Sequence, residues 1–120
     1  MFGLRKRGEI DMLTGMQYDS FGIDTSNLIH TMNISDGTSG TYTPSQDCWA
    51  VGAINSGTSG AQAYITLNGT KIIMANTFLN ISGEYYGVQV PICFPVKAGQ
   101  VLATRARANQ TYYIEFYKAY

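Results

Sequence analysis

No apolar pattern of period 3.6 runs for three turns anywhere in the sequence, because Gly, Ser, Asn, Asp or Pro interrupts it first. Short period-2 runs recur instead from about residue 28 onward, which predicts an all-β chain. The best-defined element is a hairpin across Asn68-Gly69, since Asn-Gly supplies the two positive φ angles of a type I′ turn. With a two-residue loop, Leu67 opposes Thr70, Ile65 opposes Ile72 and Ala63 opposes Met74. That register puts Ala63, Ile65, Leu67, Ile72 and Met74 on a core face, and Gln62, Tyr64, Thr66, Lys71 and Ile73 on a wet one.

Further strands follow by the same reasoning. Cys48 to Ile54 reads as a small-residue strand closed by the Gly- and Ser-rich turn Asn55 to Gly60. Val88, Val90, Ile92 and Phe94 share one face of another strand, opposite Gln89, Pro91 and Cys93. Pro91 has no N–H to give a ladder, so this strand is expected at a sheet edge or a bulge. Lys97-Ala98-Gly99 turns the chain into Val101 to Ala106, and the chain finishes on Tyr112 to Tyr120. There Ile114 and Phe116 share one face, with Tyr113, Glu115 and Tyr117 on the other. About eight short strands, spaced 8–12 residues apart, suggest a sandwich or jelly roll. Residues 1–27 differ in composition and read as an arm or attachment segment, with one helical turn near Ile10 to Met16, ahead of a domain spanning 28–120.

The chain has 120 residues, one domain's worth, with eight basic and eight acidic side chains that cancel. Only 13% of it is charged, roughly half the usual share, while its 45% hydrophobic content is ordinary. Gly, Ser, Thr, Asn and Tyr fill the difference. Zero net charge argues against a nucleic-acid partner, no apolar stretch is long enough for a membrane span, and the apolar content is too high for disorder. Five of the sixteen charged residues fall in the first eleven positions, leaving the β domain more neutral than the average suggests. Gly8, Glu9 and Asp11 stand where the apolar part of an export signal would be, so synthesis in a cytoplasm without general export is expected. Cys48 and Cys93 lack metal spacing. They allow one bridge or two buried free thiols, and the second is the expectation.

Catalytic chemistry is not expected. His30 is the only histidine, no nucleophile elbow or phosphate-binding glycine loop is present, and no spacing argues for paired carboxylates among Asp36, Asp47, Glu84 and Glu115. No cofactor or metal is expected; His30 reads as a strand residue, its alternative being an ion held by three imidazoles on a threefold axis. Asn33, Asn68, Asn80 and Asn109 each open an Asn-X-Ser/Thr triplet, which the Asn- and Thr-rich composition accounts for.

Three stretches together resemble a known type of domain. Thr41-Tyr42-Thr43-Pro44-Ser45-Gln46-Asp47-Cys48-Trp49 is similar to the "Tyr-Thr-Ala-Pro, then Asp-Gly-Tyr" lead-in to a sandwich strand in many bacteriophage tail-fibre and receptor-binding head domains. The Ala63 to Met74 hairpin is the second stretch. The third, Val90 to Val101, resembles the "Leu-Pro-Val-Lys-Lys-Gly-Asp-Val" turn of the same domains and of tumour-necrosis-factor-like and complement-globular-head-like jelly rolls. The resemblance covers residues 41–118. Cys48 stands where these domains usually have Gly, and Gln100 where they have Asp.

That resemblance implies a homotrimeric jelly-roll knob on a virion surface, a head decoration, head fibre or tail tip. It also implies a trimer interface on the last strand. Tyr113, Glu115, Tyr117 and Tyr120 are its candidates, with Arg105 and Arg107 as charges that acids across the interface would pair. Aromatic faces also stack on sugars, so the terminal tyrosines carry a second reading as a receptor surface. Arg5, Lys6 and Arg7 are candidates for attachment to an acidic surface of other virion proteins, capsid or tail. Tyr85 and Tyr86 in a Gly-flanked loop, and Trp49 at a strand start, are candidates for contact with a host-cell-surface glycan, each with core packing as its alternative. The alternatives in function are a host-glycan receptor-binding module of a tail fibre and a secreted cytokine-like or complement-like ligand.

Overall fold

In the computed structural model, which describes residues 22–58 and 60–120, the alternating runs become ten strands and no helix among the described residues. They are β1 (Ile23–Ser35), β2 (Ser39–Tyr42), β3 (Cys48–Asn55), β4 (Ala63–Leu67), β5 (Thr70–Ala75), β6 (Phe78–Leu79), β7 (Tyr85–Tyr86), β8 (Gln89–Val96), β9 (Leu102–Arg105) and β10 (Thr111–Ala119). Eight of them make two four-stranded sheets, ordered β1-β10-β3-β8 and β2-β9-β4-β5, while β6 and β7 pair as a small ribbon. All pairings are antiparallel. The protein is all-β, as the alternation requires.

One core holds the sheets together. Ile54, Ile114 and Phe116 from the first sheet meet Ile65 and Leu102 from the second, all with no exposed surface. Side chains of this size stabilise a fold by roughly 1.5–3 kcal/mol each when removed from water. Tyr112 enters the same core from β10, and its hydroxyl reaches across to the other sheet. It accepts from the Tyr64 N–H at 3.0 Å and donates to the Arg105 carbonyl at 3.3 Å. Gln110, also fully buried, accepts from the Arg107 N–H and donates to the Ala61 carbonyl.

The Asn68-Gly69 turn forms with both residues at positive φ, 50° and 84°. Its register holds only for the first two pairs, Leu67–Thr70 and Thr66–Lys71. A bulge then inserts Ile72, so that Ile65 opposes Ile73 and Ala63 opposes Ala75. One extra residue flips everything beyond it to the other face. Ile73 and Ala75 therefore turn inward, and Ile72 and Met74, expected in the core, are exposed. Strand β1 also starts at Ile23, inside the expected arm, because Ile23 pairs with Ala119 of β10. The expected helical turn at Ile10 to Met16 lies outside the described residues.

Pro91 sits where its missing N–H predicts, on β8 at a sheet edge. Both cysteines are free, but only Cys48 is buried; Cys93 is exposed. The register explains the difference: Cys48 pairs with Val96 and Cys93 with Val51, positions of opposite parity that face opposite sides of the sheet.

Candidate interaction surfaces

The outward face of the β1-β10-β3-β8 sheet can be read off its register. Four rows cross it: the polar Ser35–Thr111–Asn55–Gln89 at one end, then Asn33–Tyr113–Ala53–Pro91, Thr31–Glu115–Val51–Cys93 and Leu28–Tyr117–Trp49–Pro95. An antiparallel sheet with one solvated face normally carries polar residues there. This one carries a single charge among these sixteen residues. That charge, Glu115, is capped on both oxygens: the Tyr113 hydroxyl donates to one at 2.9 Å and the Tyr117 hydroxyl to the other at 2.8 Å. Hydrogen bonding to the carboxylate pushes both phenols above their ordinary pKa, so they stay donors. The result is a surface of aromatic, aliphatic and neutral polar side chains, with a small recess at Ala53, Asn55, Gln89, Thr111 and Tyr113, whose one charge is already hydrogen-bonded.

Tyr113, Glu115 and Tyr117 are thus brought together. Tyr120 follows β10 and is exposed, its N–H bonded to the Gly22 carbonyl. Arg105 and Arg107 are elsewhere. Arg105 ends β9 in the other sheet, and Arg107 lies in the loop beyond it, so neither shares the face of Glu115. Arg5, Lys6 and Arg7 lie outside the described residues.

Sequence reasoning did not assign the other apolar residues of this face, Leu28, Val51, Ala53, Cys93 and the two prolines, to an interaction surface. The signal was present in β3, whose run Cys-Trp-Ala-Val-Gly-Ala-Ile is apolar at both parities, as expected of a strand covered on both sides.

Tyr85 and Tyr86 are both exposed and form β7, paired with β6 so that Phe78 opposes Tyr86 and Leu79 opposes Tyr85. Between them, Asn80 locks the turn. Its side-chain oxygen accepts from the N–H groups of Ser82 and Glu84 and from the Ser82 hydroxyl, while its amide donates to the Tyr86 hydroxyl. Phe78, Leu79, Ile81, Tyr85 and Tyr86 all stand exposed on this ribbon. Trp49 does not join them. It lies near the start of β3, whereas the ribbon leads into Val88, which pairs with Ser56 just past the other end of that strand. At about 3.3 Å per residue the two are some 20 Å apart along the strand.

His30 faces the core side of β1, stacked on Tyr42 with ring centroids 4.0 Å apart and tilted against Phe116. Among the described residues no cluster of three metal-binding side chains occurs. Asp36 and Asp47 each accept a backbone N–H, from Asn109 and Ala98 respectively, and act as loop braces.

The outward face of the β2-β9-β4-β5 sheet has a different character. A shallow groove of about 290 Å³ crosses it, bordered by Ser39, Thr41, Tyr64, Thr66, Ala103 and Arg105. Ala103, in the middle strand of these three, leaves the floor low, and hydroxyls and a guanidinium rise around it. The Tyr64 and Thr66 positions read in the sequence only as a wet strand face. No family model, curated protein or solved structure matches this chain.

Proposed function

We propose that the protein is a bacteriophage virion structural protein, a homotrimeric knob that assembles through the outward face of the β1-β10-β3-β8 sheet. The observation that carries this reading is the face itself, with sixteen side chains in four rows, one charge, and that charge capped by two tyrosines. Burying an unpaired charge is costly, whereas a carboxylate that enters with its hydrogen bonds made loses far less. Tyrosine and tryptophan are enriched in interface cores because they bury large areas and keep a polar handle. Three copies of this neutral face, gathered about a threefold axis, are the occupants that fit it.

The strand order supports the jelly-roll form of the knob. The eight main strands divide evenly, first and last strands are neighbours, and every connection among them except the β4–β5 hairpin crosses between sheets. The threefold state and the virion setting rest on the resemblance of residues 41–118 to fibre and decoration knobs. Attachment falls to the segment before β1, whose basic cluster Arg5-Lys6-Arg7 suits an acidic neighbour.

Light scattering should give three times the chain mass, and Ala53→Arg, which adds bulk and charge beside Tyr113, should give folded monomers with an unchanged circular dichroism spectrum. Cys93 reports the same event without engineering: a thiol reagent should label it slowly in the assembly and fast in Ala53→Arg. A monomer at tens of micromolar, with Cys93 equally reactive in both proteins, would overturn the reading. Deleting residues 1–20 should leave the trimer intact but absent from purified particles.

Host-surface recognition is a second reading, favoured by the locked ribbon with its exposed Tyr85 and Tyr86. Tyr85→Ala with Tyr86→Ala should then reduce adsorption of particles without changing assembly; unchanged adsorption ends it.

A further inference from the structure

The groove on the β2-β9-β4-β5 sheet has a construction of its own. The ladder between β4 and β9 runs through Leu67–Leu102, Thr66–Ala103 and Ile65–Thr104, and the next row would join Tyr64 to Arg105. It does not form directly. The Tyr112 hydroxyl stands in that row, accepting from the Tyr64 N–H and donating to the Arg105 carbonyl. The Thr104 hydroxyl takes the Tyr64 carbonyl at 2.8 Å. Two side-chain hydroxyls thus replace ladder bonds, and the inserted phenol keeps β4 and β9 apart where Tyr64 and Arg105 flank the groove.

The residues that line it are matched in chemistry. Tyr64 lines the groove, and Lys71 Nζ, from the strand on its other side, stands over its ring 4.3 Å from the centroid. Ser39 and Thr41 present exposed hydroxyls from β2, two positions apart and therefore on one side. Thr66 donates its hydroxyl to the Ala103 carbonyl at 3.2 Å and keeps acceptor capacity. The Arg105 guanidinium is exposed and has no protein partner among the described residues.

We infer that this groove binds a saccharide bearing a carboxylate. An aromatic face takes the C–H face of a pyranose ring, short hydroxyls exchange hydrogen bonds with its hydroxyls, and the planar fork of Arg105 takes a carboxylate in two parallel hydrogen bonds. A volume at the small end of ligand sites, roughly 300–1,000 Å³, suits one or two rings lying flat. A polyanion such as nucleic acid would need many more cations than Arg105 and Lys71. A peptide adding a strand would pair with the backbone at the sheet edge, whereas the groove is on the sheet's face, centred on Ala103 of β9. The site belongs to one chain and faces away from the proposed assembly surface, so it stands whether or not that surface self-associates.

The test is titration of the ¹⁵N-labelled full chain with 3′-sialyllactose, a glucuronate-containing disaccharide and lactose. At least one acidic sugar should shift the amides of residues 39–41, 64–66 and 103–105 at millimolar concentration. Arg105→Gln, at an exposed position with no partner to lose, should weaken that binding about tenfold or more and leave the melt unchanged. It should leave lactose, the weaker ligand, untouched. Tyr64→Leu should weaken acidic and neutral sugars alike. No shift with either acidic sugar, shifts confined to residues 78–86 or to β10, or an Arg105→Gln protein that binds as before would each overturn the inference. None of these outcomes depends on the oligomeric state, which light scattering reads separately.

Discussion

Tyr112→Phe removes one oxygen atom, and the structure says what that atom does. In its absence the Tyr64 N–H has no acceptor in the row where the β4–β9 ladder should continue, and the Arg105 carbonyl loses a weak donor. The Tyr112 side chain is fully buried, so water does not replace the hydroxyl without opening the core. A buried donor left unsatisfied costs about 1–3 kcal/mol, and the longer bond to Arg105 adds little, so about 2 kcal/mol is expected. At about 4 °C per kcal/mol for a domain of this size, the melting temperature should fall by about 8 °C. Thermal and urea melts followed by circular dichroism give the stability, and hydrogen exchange at the Tyr64 amide gives its location. That amide should lose protection, exchanging through local opening of its row, while those of Ile65 and Thr66 hold. Should β4 and β9 instead close and bond directly, the melt would stay within about 2 °C of the parent and the amide would stay protected. The wedge would then be wrong, and with it the account of why the groove is open.

Gly52→Ala should be among the most damaging single changes, because the new Cβ would collide with the Tyr113 carbonyl oxygen, a backbone atom held in the β3–β10 ladder; a loss at or above the upper end of about 1–3 kcal/mol is expected in urea melts. Asn80→Ala should free the β6–β7 turn, seen as rapid hydrogen exchange at Ser82 and Glu84, with under about 1 kcal/mol change in the global melt, since every bond it breaks lies within the exposed ribbon. Burial, with the Asp47 carboxylate adding to it, pushes the Cys48 thiol up from about 9 to about 11. The folded chain holds that proton more tightly than the unfolded one, so stability should be constant with respect to this group below pH 9 and fall as pH rises toward 11; Cys48→Ala should flatten that slope in melts taken across the window.

The fold was legible where turn chemistry and alternation agreed. Asn68-Gly69 fixed its own turn through two positive φ angles, Pro91 announced an edge, and the inward set Ile114 and Phe116 followed from parity alone. The failures came where one residue changes parity without changing composition. Ile72 and Ile73 are equally apolar, so nothing in the sequence says which of them the strand will bulge out, and the inward set slipped by one from there to Ala75. The start of β1 was missed for a related reason: Asp24, Thr25, Ser26 and Asn27 read as a linker, and only their place beside β10 makes them strand.

The two outward faces divide for the same physical reason, and this bears on how a neutral chain can both assemble and bind. Alternation tells a reader which side of a strand is wet, but not what the wet side will meet. On β10 the outward residues Tyr113, Glu115 and Tyr117 could be sorted by parity, yet the weight of that face comes from Trp49, Val51 and Ala53 on the strand beside it, a juxtaposition set by strand order. On the other sheet, Arg105 was grouped with Glu115 as a partner across an interface. Topology instead places it in the opposite sheet with no carboxylate, beside hydroxyls and the Tyr64 ring. An exposed cation without a partner is soluble and inexpensive, whereas the same cation on the β10 face would have to be desolvated in any assembly. An unpaired charge on one sheet and a capped charge on the other is the division that the proposed assembly and the proposed ligand would each require. Moving a charge between them should therefore be asymmetric: Val51→Arg should dissociate the assembly, and Arg105→Val should leave it whole while removing affinity for acidic sugars. Dissociation by both, or by neither, would mean the two faces are not divided in this way.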